Sequence, residues 1–395
     1  MGFAAGTVSY QRFFLTGPFP TEVDDAFVKA LQHRAFGRGP VRPDGTQVGW
    51  AGPAHLLDSD LSGPHIACGS FVHLGLRVDS LRVPPAVQRA YRQLEEDAAR
   101  EARGSAALSR FELRKAREAA AARAAQDVKS GAHRRMALYP VLIDLADRAV
   151  YLGSVSPAVA ERLLVHLSDT FGAGLEPAGP GEVAGRVLEA ARRARALESL
   201  APFTLVDPPA GEGAEAAGSA DGDLRFLGKE FCTWLWYQVE SDDGPLKVRA
   251  GDEVSVLIER VLRLKCDFGL TGSDTIAADQ PAGLPEARAA LRIGKQPVRM
   301  GLLLAAPGGE YRLTLDGPRL AVSGLTLPEP ADDLAGEALR EQRFEQITDT
   351  AHLLDALFEL FITARTGRGW EALLRKMTTW ARGTREGALR SAASA

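Results

Sequence analysis

The chain is poor in the residues from which recognisable chemical sites are usually built. Of its 395 residues only three are cysteine, four methionine and seven histidine. Cys68, Cys232 and Cys266 stand far apart with no pair at metal or redox spacing, which argues against a disulfide framework and a zinc knuckle alike and fits a reducing compartment. No run approaches the ~20 apolar residues of a membrane span. The first residues offer neither a basic stretch nor an apolar core long enough for a signal peptide. The sequence is therefore read as that of a soluble, cytoplasmic protein without a membrane partner.

Catalytic signatures are missing as well. There is no P-loop, no His-Glu-x-x-His and no Gly-x-Ser-x-Gly. Gly367-Arg-Gly369-Trp-Glu-Ala372 has the spacing of a degenerate dinucleotide fingerprint, but it follows a helical pattern where that chemistry needs a strand end. His65 and His73 would lie on one face of a continuous strand, roughly 26 Å apart and too distant to share a metal. Asp144 and Asp147 flank a predicted turn and are better read as turn formers than as paired catalytic carboxylates. The expectation is a protein without catalytic residues, metal or cofactor.

What the sequence does have is length for a well-buried interior and an uneven distribution of charge. Lys and Arg number 47 against 51 Asp and Glu, a net charge of -4. Between 110 and 135, however, cations outnumber anions. Arg110, Arg114, Lys115, Arg117, Arg123, Lys129, Arg134 and Arg135 face only Glu112, Glu118 and Asp127. On a helix Arg110, Arg114 and Arg117 share one stripe, which can follow a phosphate backbone because screening lets a local basic surface act apart from distant acids.

The apolar pattern predicts strands at 8–15, 138–145, 149–155, 254–264, 298–304, 311–315 and 320–327, and a strand or hairpin over 65–78. Helices are predicted at 20–36 with Thr21 as N-cap, from Pro84-Pro85 to about Arg103, across 105–130 as a projecting element, after Ser156-Pro157, at 285–293 and at 337–363. Phe231, Trp234, Leu235, Trp236 and Tyr237 are dense enough to form a core helix rather than a base-stacking platform. The Pro-, Gly- and Ala-rich stretch 206–223 reads as a linker. Trp370, Leu373, Leu374, Met377 and Trp380, interleaved with arginines, make an amphipathic tail. The expected organisation is an α+β protein: an N-terminal half at 1–200, a linker at 201–223, a C-terminal half at 224–340, each half with a small mainly antiparallel sheet and packed helices, and C-terminal helices with a basic tail at 341–395.

Four segments, in order, resemble the recombination-associated protein RdgC family of bacterial DNA-binding proteins. They are Val48-Gly49-Trp50; the run from Val83-Pro84-Pro85 through Arg134-Arg135 to Val141-Leu-Ile-Asp144 and Tyr151-Leu-Gly-Ser-Val-Ser156; Leu291-Arg-Ile-Gly294-Lys295-Gln-Pro-Val-Arg299 with its apolar continuation; and Arg343-Phe344 opening the last long helix. Together they cover most of residues 1–365. The resemblance implies a ring-shaped homodimer that surrounds double-stranded DNA without sequence preference, is nucleoid-associated and limits access of the RecA recombinase. It leaves single-stranded DNA as an open alternative. The DNA-binding residues expected are Arg110, Arg114, Lys115, Arg117, Lys129, Arg134, Arg135, Lys265, Lys295 and Arg299. Two departures stand out. The family's aromatic ahead of its Arg-containing junction is replaced by His133, and its adjacent lysines in the loop after a C-terminal-half strand have no equivalent at 269–279, where Lys265 is the nearest cation. A DNA-independent interaction protein on the same fold and a metal-dependent enzyme acting on nucleic acid are the rival readings.

Overall fold

A computed structural model describes residues 2–42, 45–81, 83–104, 107–206, 223–241, 244–248, 252–266, 271–330 and 334–383. Among these the chain is α+β, with ten helices and a large antiparallel sheet. In chain order the elements of the N-terminal half are β1 (Val8–Thr16), α1 (Asp25–His33), β2 (Thr46–Ala51), the single turn α2 (Gly63–Ile66), β3 (Ala67–Cys68), β4 (Phe71–Leu81), α3 (Pro85–Arg103), α4 (Arg110–Ser130), β5 (Arg134–Asp144), β6 (Ala149–Leu152), α5 (Pro157–Phe171), β7 (Gly174–Pro177) and α6 (Pro180–Ala190). Then come α7 (Phe226–Ser241), β8 (Leu246–Lys247), β9 (Glu253–Cys266), β10 (Ser273–Ala278), α8 (Pro285–Arg292), β11 (Lys295–Ala306), β12 (Gly309–Asp316), β13 (Ala321–Thr326), α9 (Gly336–Arg365) and α10 (Trp370–Arg382). No described helix is long and apolar enough to cross a membrane.

The two halves do not carry separate sheets. Strand order runs β10-β9-β11-β12-β13-β1-β6-β5-β4-β2, and β1 joins the halves by pairing with β13 through Val8 and Tyr10 and with β6 through Gln11 to Phe14. In the N-terminal part both sheet faces are buried, so alternate residues enter different cores. Phe13, Val141, Ile143, Val150 and Leu152 pack in one cluster with α1 and α5. Tyr10, Phe14, Leu142 and Tyr151 pack in the other, which continues through α7, α8, α9 and α10. That second cluster buries Phe231, Trp234, Leu235 and Trp236, so the dense aromatic stretch is core.

Several local expectations change for physical reasons. The first helix starts at Asp25 because the Asp24 side chain, rather than Thr21, caps it by accepting the Phe27 amide at 2.8 Å. The 65–78 segment is a short helix followed by a hairpin, so His65 and His73 do not share a strand. Residues 201–206 leave the linker: Phe203 and Leu205 are buried, Phe203 donates its amide to Glu230, and its carbonyl accepts from Gln296. The rest of the expected linker, 207–222, lies outside the described residues, as do 384–395 of the tail. Gly49 has a steric duty, since a Cβ there would lie 2.3 Å from the Phe36 Cα where that segment bonds Trp50.

Candidate nucleic-acid interface

Helices α3 and α4 form an antiparallel hairpin that stands apart from both cores. Pro85 opens α3, and left-handed Gly104 ends it. A capping box opens α4: the Glu112 amide bonds the Ser109 hydroxyl at 3.3 Å while the Glu112 carboxylate accepts the Ser109 amide at 2.8 Å. Those bonds from Ser109 hold the Glu112 carboxyl below its ordinary pKa. None of the 19 residues of α3 is buried, and α4 buries only Ala116 and Ala120. The helices are tied by Arg103 to Glu112 at 2.5 Å near the tip and by the Tyr91 hydroxyl to Asp127 at 2.5 Å lower down.

Charge concentrates on this hairpin. Residues 85–135 hold twelve Lys and Arg against seven Asp and Glu, a surplus of five positive charges in a chain whose net charge is -4. Arg114 lies 3.7 Å from Glu118, and Arg92, Arg100 and Arg103 have carboxylate partners. Arg89, Arg110, Lys115, Arg117, Arg123, Lys129 and Arg135 are exposed and make no ion pair among the described residues. At the tip Phe111 is 57 % exposed, with the Arg114 guanidinium 5.4 Å and the Lys115 ammonium 5.7 Å from its ring centroid. The sequence reading missed a second arginine stripe: Arg89, Arg92, Arg100 and Arg103 recur on one flank of α3 at three-, eight- and three-residue intervals. Attention to the helix's apolar positions hid that spacing.

The base of the hairpin is fixed by a buried carboxylate. Asp79 on β4 is fully buried and receives Arg77 at 3.0 Å through two nitrogens and Arg134 at 2.7 and 2.6 Å. Arg77 in turn lies 4.0 Å above the Phe36 ring. Arg134 is thus held by Asp79, while its neighbour Arg135 projects freely. His133, where the family has an aromatic, sits in the left-handed region (φ 63) at the turn into β5, 3.6 Å from Asp127.

A second basic surface lies on the outer face of the C-terminal strands, whose other face the helices cover. Arg263 and Lys265 of β9 are exposed on it beside Thr275 and Ser273 of β10. Arg299 of β11 stands opposite Arg263 and donates to the Ser323 hydroxyl at 2.8 Å. Asp316, its neighbour on β12, is engaged by Arg319 at 2.8 Å. Lys295 corrects the expectation. It is only 4 % exposed and bonds Asp274 at 2.7 Å. A β-bulge at Val298 explains the split, because pairing jumps from Pro297 with Leu264 to Arg299 with Arg263. The extra residue reverses the alternation, so Lys295 faces inward and Arg299 outward. The two basic surfaces are separated: β5 and β11 are five strand positions apart, ~24 Å at the usual strand spacing.

Elsewhere, polar clusters serve the fold. Asp144 accepts the amides of Ala146 and Asp147 at 2.9 and 3.1 Å, the geometry of a turn. Arg365 bonds buried Glu230 at 2.8 Å, and burial pushes the Glu230 carboxyl up to about 7. No group of three His, Cys, Asp or Glu able to hold a metal occurs among the described residues. The sequence matches no protein-family model and no curated protein.

Proposed function

We propose that this chain is an RdgC-like protein that binds DNA through the phosphate backbone without reading sequence, with the α3–α4 hairpin as its principal contact. The observation that carries this reading is charge segregation. The exposed two-helix projection and the strand start that follows it, residues 85–135, bear a surplus of five positive charges while the remainder of the chain is acidic, and seven of their cations, Arg89 and Arg123 among them, have no carboxylate partner among the described residues. Such cations release counterions when they meet phosphates, the source of essentially all non-specific affinity. Arg263, Lys265 and Arg299 form the secondary contact. Phe111 at the tip adds an apolar ring that can lie against a sugar or base edge.

The four family-like segments support a homodimer closing a ring around duplex DNA and restraining RecA. A two-fold ring needs two separate isologous patches, one on each half. The pairing of Arg92, Arg100 and Arg103 with acids favours a second reading, a DNA-independent interaction protein, because those guanidiniums are partly neutralised. Mobility shifts on several unrelated duplexes, run beside sedimentation, separate the two. The DNA reading expects comparable affinity for all duplexes and a mass twice the 42.2 kDa chain. A preference of ~1000-fold for one duplex, or no retention at low salt, refutes it. A monomer with unchanged DNA affinity removes the ring.

A further inference from the structure

We propose that the cleft between α3 and α4 is a docking groove for an acidic amphipathic helix of a partner protein. The cleft, about 650 Å³ in volume, has Ala120, Ala121 and Ala124 of α4 along its floor, with Arg89 and Arg92 on one rim and Arg117 on the other. Small side chains let a third helix approach to the ~8–10 Å at which helices pack. The hairpin lacks such a third helix, since α3 buries none of its residues. A partner helix with an apolar ridge flanked by Glu or Asp satisfies both features at once, the ridge covering the methyl floor and the acids reaching Arg89 and Arg117, which have no ion-pair partner among the described residues. A phosphodiester chain would meet the arginines but leave the alanine floor without apolar contact. This surface goes beyond the DNA reading and meets it at the arginines of the rim, Arg89, Arg92 and Arg117, so the acidic helix and DNA compete.

The probe is a labelled synthetic helix of about eighteen residues, ~27 Å long and so close to the length of α3, with leucines on one face and glutamates on both flanks. A scrambled peptide of equal composition and a polyglutamate of equal charge serve as controls. Anisotropy titration of the full chain should show saturable binding, with both controls at least ~10-fold weaker, a difference of about 1.4 kcal/mol. Ala121→Trp fills the floor without altering charge and should weaken the helix by a similar factor while leaving duplex affinity within about 2-fold, because phosphate contacts depend on charge. Ala121→Leu is the parallel variant, and thermal melting establishes that each one folds. Equal binding of polyglutamate would make this an unspecific polyanion surface and overturn the groove, as would helix affinity unchanged in both Ala121 variants. Loss of duplex binding in Ala121→Trp would give the cleft to nucleic acid instead. Helix binding without any duplex binding would refute the DNA reading alone.

Discussion

The salt dependence of the proposed DNA binding is the sharpest consequence of the hairpin's geometry, because the number of cations that meet phosphates fixes its size. If Arg110, Lys115, Arg117, Lys129 and Arg135 each meet one phosphate, the slope of log K against log salt is about -4.5, at roughly 0.9 per contact. Between about 50 and 200 mM salt the affinity then falls ~500-fold. Replacing Arg110, Lys115 and Arg117 together by alanine removes three contacts, so the slope should shrink to about -1.8. Alanine keeps the helix propensity of α4, and exposed substitutions of this kind move stability by within about 0.5 kcal/mol each. The thermal transition therefore acts as an internal control. Anisotropy of a labelled random duplex, titrated at several salt concentrations for both chains, reads the slopes directly. A triple variant that keeps the parental slope would show that the hairpin is not the phosphate-binding element, even where its affinity falls. A lost thermal transition would mean these side chains hold the structure.

Other perturbations test the framework around that surface. Asp79→Ala leaves the Arg77 and Arg134 guanidiniums without their buried carboxylate and should cost ~3–5 kcal/mol; a urea midpoint within error of the parent would refute its anchoring role. Lys295→Met, which removes a buried ammonium from its Asp274 partner, should leave the salt slope unchanged; a smaller slope would return Lys295 to the DNA surface. Burial lowers His73 and His166 to about 4, so the unfolded chain takes up two protons below pH 6.5 that the folded chain refuses, whereas Glu230, raised to about 7, is protonated in the folded chain before the unfolded one. Between pH 6.5 and 4.5 these three groups leave the unfolded state one proton ahead, so stability should fall on acidification by about 1.4 kcal/mol per pH unit. A urea midpoint that rises from pH 6.5 to 5 would contradict that balance.

Much of the fold was legible because local rules and burial agree. The apolar period predicted the strands of the C-terminal meander and the last long helix, and the proline pair together with the apolar stripe of Val87, Tyr91, Leu94 and Ala98 predicted α3 and its end at about Arg103. What escaped depends on contacts between distant segments. The continuous sheet is made by β1 meeting β13, more than three hundred residues away, and no pattern within either strand announces it. The same holds for Phe203, whose backbone is claimed by Glu230 and Gln296, although composition had assigned it to a linker.

The candidate surface was legible in its cations and illegible in their directions. A one-residue bulge turned Lys295 inward beside Asp274 and left Arg299 outside, although their four-residue spacing would put both on one face of a regular strand. The segments that resemble the RdgC family turn out to carry structural duties here. Gly49 admits the Phe36 backbone, Trp50 donates to Thr170 at 2.9 Å, Arg343 binds the Phe3 carbonyl at 2.7 Å, and Phe344 packs against Phe71 and His73. Residues of that kind specify how a chain folds, and they stay the same whether or not its surface meets a phosphate. The functional content must therefore reside in side chains the fold does not need, and the exposed cations of α3, α4 and the outer C-terminal strands are the ones that can be removed without disturbing the core. Their dispensability to the fold makes charge substitution there a test of function rather than of stability.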